Sequence, residues 1–373
     1  MPTASPSSRR SDVRAPRWLP GLTLALLALA GCPKKGADEP VYSWADTPKL
    51  PSPSAGSYAR TIGTPPDPPL AELLQGARWD ASLSGAAAGI ALELENTPSL
   101  PNWQVRHEVW RAGYPYPVQT LSVWRGAKGA PPPPGVGPWL ERASSEADIG
   151  LVRARTIDGD TWVGLLATPR GNIGVQPRQL PVGASFTLPP VDGARFVVAD
   201  SRGDLRAGNL EISQTFTVDE QGEWLVKVVD DKGVVARFPI YVGIAPPTKP
   251  VVAESTTGEP VEQAAALVAH LRATHGLSPF QEDLLFDAAA RRQLQDAPLT
   301  KDQLAARLGW SSESMSTWDV QASSLAEALD RVIWEPESRP ALLADAAVAG
   351  IAAEDTASGV RLVVIVGFGD DGS

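Results

Sequence analysis

WEPESRPALL, residues 334–343, places two carboxylates, an arginine and two prolines at the end of an amphipathic run. Just upstream, Leu325, Ala328, Leu329, Val332 and Ile333 fall at i, i+3, i+4, i+7 and i+8, the stripe of a helix with one face in a core. Ser324 followed by Glu327 has the form of a capping box that starts this helix. Glu335 and Glu337 have the chemistry of an acid and base pair, but nothing within the ten residues makes them converge. On a helix-to-loop turn, solvated acids are the expectation.

Outward from this segment, the C-terminal region reads as helices followed by a hairpin. A helix over 262–274 carries Leu267, Val268 and Leu271 on one face, a second spans roughly 283–295, and Thr300 with Gln303 marks the start of another. A similar order occurs near residue 80. There Asp80 is a good N-cap for an alanine-rich helix over 80–95, and IGLVRARTIDGDTWVGLLAT alternates around Asp158-Gly159, the signal of a β-hairpin over 149–168. RWDASLSGAAA precedes RAGYP in the first region, and EDLLFDAAARR precedes RLGW in the second. Gly150, Thr156 and Gly159 correspond without a gap to Gly350, Thr356 and Gly359, which makes a diverged internal repeat. Between the copies, from about Val175 to Ile244, short β-type runs alternate with glycine turns, the pattern of a small β-sandwich, immunoglobulin-like in architecture.

The whole chain sets the frame. At 373 residues it exceeds one comfortable core, so two or three domains are expected. A net charge of −10 without a basic stripe excludes a generic nucleic-acid binder. Arg9, Arg10, Arg14 and Arg17 precede an apolar run over 19–30 that is too short to span a bilayer. The run ends in Leu29-Ala30-Gly31-Cys32, which resembles the bacterial lipobox, whose cysteine thiol takes a diacylglycerol. Cys32 is the one cysteine of the chain, so no intramolecular disulfide forms. The expectation is an exported lipoprotein, lipid-anchored to a membrane of the cell envelope. Pro33 after the cysteine leans toward the outer membrane. Residues 33–69, rich in Pro, Ser and Gly, read as an extended tether.

The C-terminal region resembles the CAP superfamily, also called SCP or pathogenesis-related-1-like, in its compact bacterial form. LVAHLRATHGLSPF is similar to that family's opening helix and turn, EDLLFDAAARR to the helix that follows, and EPESRPALL with the later GIA to its SPxHRxxLL motif and next strand. The resemblance covers about 110 residues and implies an α-β-α sandwich around a small antiparallel sheet. It also implies a cleft in which two histidines and two acids can hold a divalent metal. Here the first histidine position is Gln293 and the second is Ser338, with Glu337 and Arg339 beside it. The Glu-Asn pair of the family is absent from SSESMSTWDV, and the first histidine position of the earlier copy is Ile90. On this alignment Ser338 faces the cleft and Gln293 lies across it, without metal, cofactor or catalytic residue.

Other chemistry is sparse. His270 and His275 are five apart, which is not the spacing of a helical metal pair, and surface positions are expected for both. No GxSxG elbow, P-loop, HExxH or paired CxxC occurs. The twelve tryptophans are scattered and read as core fillers. The expected class is α+β: a signal peptide over 1–31, a tether over 32–69, a shortened CAP-like region over 70–170, a β-sandwich over 171–245, a linker over 246–260 and a degenerate CAP-like domain over 261–369. The expected function is a non-catalytic envelope lipoprotein that binds a protein, glycan or lipid. An envelope hydrolase with an unrecognised site and a purely structural component are the alternatives.

Overall fold

The computed structural model describes residues 56–97, 99–253, 257–295 and 298–369. Cys32 and the apolar run before it lie outside the described residues. The class is α+β, with helices and several sheets, some of them mixed. No helix among the described residues is long and apolar enough to cross a membrane.

The two α+β regions are built on one plan. In the first, the short strand Arg78–Trp79 lies parallel to Asp148–Thr156, which forms a hairpin with Gly159–Ala167, and Thr120–Gly126 closes the sheet. In the second, Gln281–Glu282 lies parallel to Ala347–Thr356, which forms a hairpin with Gly359–Phe368, and Met315–Ala322 closes the sheet. Both regions therefore run helix, short strand, two helices, strand, helix and hairpin. Both hairpins pair Thr with Gly at the tip, and in each the threonine hydroxyl donates to the glycine carbonyl at 3.1 Å.

Alternation along the strands separates two faces in each sheet. In the first region Val152, Ala154, Val163 and Leu165 pack with the helices Ala81–Glu93 and Asn102–Arg111. Ile149, Leu151 and Trp162 face the other way, toward Leu70 of the helix Pro68–Leu73 and Trp139 of the helix Val136–Glu141. In the second region Ala352, Val363 and Ile365 face Phe286 and Ala290 of Leu284–Gln295 and Leu304 of Lys301–Leu308. Leu362, Val364 and Val366 face the helices Pro260–Thr274 and Leu325–Ile333. Each region is thus three layers, with a sheet between two pairs of helices.

The two regions use these layers differently. The first buries its middle pair of helices in the main core, whereas the second buries its outer pair there, and the remaining pairs form satellite cores. The β region joins the same main core. Its five-stranded sheet runs in the order Leu205–Asn209, Arg195–Ala199, Gly222–Asp230, Gly233–Val242 and Gln179–Leu180, the last pair being parallel. A two-stranded sheet, Ser185–Leu188 with Gln214–Thr217, packs on it through Phe216, which stacks on Phe186 at 5.0 Å and meets Phe196 edge to face at 5.3 Å. One apolar core therefore runs through all three regions. Expectation had treated them as separately folded units.

One boundary needs correction. Residues 56–69 are not tether: Ser57–Tyr58 pairs with Gln176–Pro177, Tyr58 is fully buried against Phe238, and Arg60 binds Asp148. An aromatic ring with apolar surface to bury and an arginine with a buried carboxylate to reach hold this stretch on the body, whatever its Pro and Ser content.

Candidate functional site

The segment 334–343 is where the helix Leu325–Ile333 ends, turns through the 3-10 stretch Pro336–Ser338 and makes the short helix Arg339–Leu342. Ser324 caps the long helix by accepting from the Glu327 amide at 3.2 Å, but the expected reciprocal half of the box is not made. The Glu327 carboxylate instead accepts from the Trp103 amide at 3.2 Å and from Arg331 at 3.2 Å. It joins the first region to the last.

The polar side chains of the segment point into the β region. Lys227 donates to Glu335 at 2.6 Å and to Glu337 at 3.0 Å, and Arg237 pairs with Glu335. Burial works to lower the Lys227 pKa, but hydrogen bonds and charge from Glu335 and Glu337 outweigh it and the ammonium is held more firmly. Arg339, 1 % exposed, pairs with Glu223 at 2.7 Å and lies over the Trp334 ring. Trp334 in turn meets Trp110 of the first region edge to face at 4.7 Å, and the Trp110 indole donates to the Arg237 carbonyl. The expectation of solvated acids is met by Glu337, which is exposed although it pairs with Lys227, and is corrected for Glu335, a partly buried joint held by both Lys227 and Arg237. These two cations sit over a hundred and nearly a hundred residues away in sequence.

Gln293 is elsewhere. Its amide closes the loop after its own helix, donating to the Leu299 carbonyl at 3.1 Å and accepting from the Leu299 amide at 2.7 Å. Its helix packs on the Val363 and Ile365 face of the sheet, while Leu342, in the short helix that Arg339 begins, packs on the Leu362 and Val364 face. The expected cleft with Ser338 on one wall and Gln293 on the other is therefore corrected: the sheet stands between them. The Ser338 hydroxyl is buried without a hydrogen-bond partner among the described residues.

One of the two histidines expected at the surface departs from expectation. His270 is exposed, but His275 is partly buried between the Ser201 carbonyl at 3.2 Å and the Arg339 guanidinium at 3.3 Å. Burial and the Arg339 charge lower its pKa. His107 is pushed down to about 4 by burial, with the Arg111 charge adding to the effect. Among the described residues no group of three or more His, Cys, Asp or Glu is placed to hold a metal ion.

Two concavities flank the joint. One, of about 470 Å³, is lined by Arg106, Trp110, Tyr116, Arg237, Glu327 and Arg331. Its charges are matched, Arg106 with Asp330, Arg237 with Glu335 and Arg331 with Glu327. Burial pushes Asp330 up to about 6 even beside Arg106. The other, of about 760 Å³, opens between the β-region loops at Ser201 and Glu223, the linker at Lys249 and the helix end at Thr274 and His275, with Trp334 in its wall. Both volumes suit a small ligand or a peptide side chain, and region junctions are where such sites collect. The larger groove has mixed walls, in which Tyr241, Leu271 and Trp334 stand among the acids Asp219, Glu220 and Glu223, with the exposed Lys249 at its rim.

A third buried polar group serves structure. Asp148 accepts two bonds from Arg60 at 2.7 and 2.8 Å, one from Tyr114 at 3.0 Å, and pairs with Arg78 at 2.9 Å. Asp80, beside it, caps its helix, and burial pushes it up to about 6. These contacts fasten residues 60 and 61 to the first sheet and open onto no cavity described above. Compared with known proteins, the chain matches no family model and no curated protein.

Proposed function

We propose that this protein is an exported lipoprotein, anchored through lipid on Cys32, that acts in the cell envelope as a non-catalytic binding module. In this reading its α+β regions are diverged CAP-like copies and its β region is an immunoglobulin-like sandwich. The lipobox and the preceding basic and apolar runs support the anchor. The three-layer build of both α+β regions supports the CAP resemblance at the level of architecture, whereas Gln293 and Ser338 share no site. The observation that carries the binding reading is the use of residues 334–343. Their acids and arginine are engaged in joining regions, and a groove of about 760 Å³ stands open beside that joint.

A purely structural envelope role is the second reading, favoured by the way Gln293 closes its own loop. Two experiments separate the parts of the proposal. Cys32→Ala should move the protein out of the membrane fraction or leave its leader uncleaved; a cleaved, still membrane-bound variant contradicts the anchor. Tryptophan fluorescence, titrated with soluble peptidoglycan fragments, lipid vesicles and envelope peptides, should saturate with one of these classes. Thr274→Trp, which fills the groove from an exposed position, should abolish that response. Saturation by none of the three leaves the structural reading.

A further inference from the structure

In the first α+β region the short strand is covered on its outer side by the chain's own residues 61–63. Ile62 bridges Asp80 antiparallel, the Gly63 amide donates to the Trp79 carbonyl at 3.0 Å, and the Ala81 amide donates to the Thr61 carbonyl at 2.8 Å. The Thr61 amide adds a bond to the Asp80 carboxylate at 2.6 Å, and its hydroxyl reaches Ser82.

The second region has the same edge in the same register. Arg78 and Trp79 pair with Asp148 and Ile149; Gln281 and Glu282 pair with Val348 and Ala349, two hundred residues on from that pair. Asp283 caps its helix from the Asp80 position, accepting from the Leu285 amide at 2.7 Å. Here, however, Gln281–Glu282 ends the sheet, and no described strand lies on its outer side. The positions held in the first copy by Ala81 and Ser82 are Leu284 and Leu285, which are 84 % and 67 % exposed. Two adjacent leucines on a helix start beside an uncovered strand are a costly surface to leave in water.

We infer that this edge takes an extended segment of a partner polypeptide, added to the sheet as residues 61–63 are added to the first copy. The chemistry asked of that segment is set by what faces it. Leu284 and Leu285 call for branched apolar side chains, and Glu282, Asp283 and Asp287 call for a basic one. The chain's own covering segment, Ala59-Arg60-Thr61-Ile62-Gly63, has that composition. Backbone bonds to the edge supply affinity, and the leucines and acids supply selectivity. This inference stands apart from the groove and from the anchor.

The test uses the full chain in detergent and a synthetic peptide with the sequence of residues 57–65, SYARTIGTP, labelled for fluorescence anisotropy. Saturable binding is expected, weakened at least about tenfold by Leu284→Glu with Leu285→Glu, a pair of exposed changes that leaves the fold intact. A scrambled peptide of the same composition should bind as weakly as the variant does to the original. No binding, or binding that the double change leaves untouched, overturns the inference. A dimer of the wild type that the double change dissociates also overturns it, because the edge would then belong to a second copy.

Discussion

Gly350 lies against the carbonyl of Phe286 so closely that a Cβ on the glycine would stand 2.0 Å from that oxygen. In the first α+β region Gly150 lies in the same way on Leu83, with a Cβ placed 2.6 Å from its carbonyl group. Each glycine belongs to the first strand of a hairpin, and each partner is the third residue of the helix that follows the short strand. The sheet and helix approach backbone to backbone there, which is why no side chain is admitted.

Gly350→Ala and Gly150→Ala should each cost about 1–3 kcal/mol or more, the scale of overpacking a filled core, with Gly350→Ala the worse. Gly137, inside a helix with open space around its Cα, is the control. Gly137→Ala should be neutral or stabilising by up to about 1 kcal/mol. Urea midpoints of the three variants check this, and equal values for all three would contradict the shared close approach.

The pairing of Arg339 with Glu223 gives a second expectation. The Arg339 side chain is 1 % exposed and that of Glu223, at the groove, 14 %, so removing one partner leaves an uncompensated, largely buried charge. Arg339→Met or Glu223→Gln alone should cost about 3–5 kcal/mol, and the double change much less than the sum of the two. Surface charges at a solvated turn would instead lie within about 0.5 kcal/mol. Ser338→Ala, which removes a buried hydroxyl that has no partner, should be neutral or slightly stabilising. A double-mutant cycle by equilibrium unfolding reads all of these.

Much of the fold was legible because local rules and tertiary structure agreed. Asp80 caps its helix from the Leu83 amide, Thr300 and Gln303 make the full capping box, and both strands of the hairpin around Asp158 lie within one residue of the expected 149–168. The glycines and threonines matched between the hairpins take equivalent places in the two sheets. What stayed illegible was the wiring between regions. Glu327 looked like a cap and is a tertiary joint, because Trp103, its amide partner, lies 224 residues away in sequence. Glu335 looked solvated because Lys227 and Arg237, which hold it, come from another sheet. Strands such as Thr120–Gly126 and Met315–Ala322 are sheet edges with mixed burial, so they carry no clean alternation. The covering segment near Tyr58 was hidden by composition typical of a tether.

Acid should act through His107. Its folded pKa of about 4 lies below the ordinary 6.5, chiefly because it is buried, while a hydrogen bond to the Thr248 backbone opposes the shift. Between those two values the unfolded chain binds the extra proton, so stability falls as pH drops from about 6.5 toward 4. Asp80 and Asp330, raised to about 6 by burial, act in the opposite sense below that pH, which masks the effect in the wild type alone. His275, lowered as well, adds to it. Thermal melts of wild type and His107→Gln across pH 7 to 4 isolate the histidine. The variant should gain steadily on the wild type as pH falls, whereas a constant difference would show that His107 does not titrate in this window.

The claim that residues 334–343 join three regions into one body is tested most directly by cooperative unfolding. The chain expressed from the residue after Cys32 would be unfolded in urea, followed in parallel by tryptophan fluorescence and far-UV circular dichroism. Trp110, Trp224 and Trp334 lie in the three regions and in one core. A single transition with coincident midpoints is expected, shifted as a whole to lower urea by Trp334→Ala, which should cost about 3–5 kcal/mol. Two resolved transitions, with Trp334→Ala moving only one of them, would contradict it.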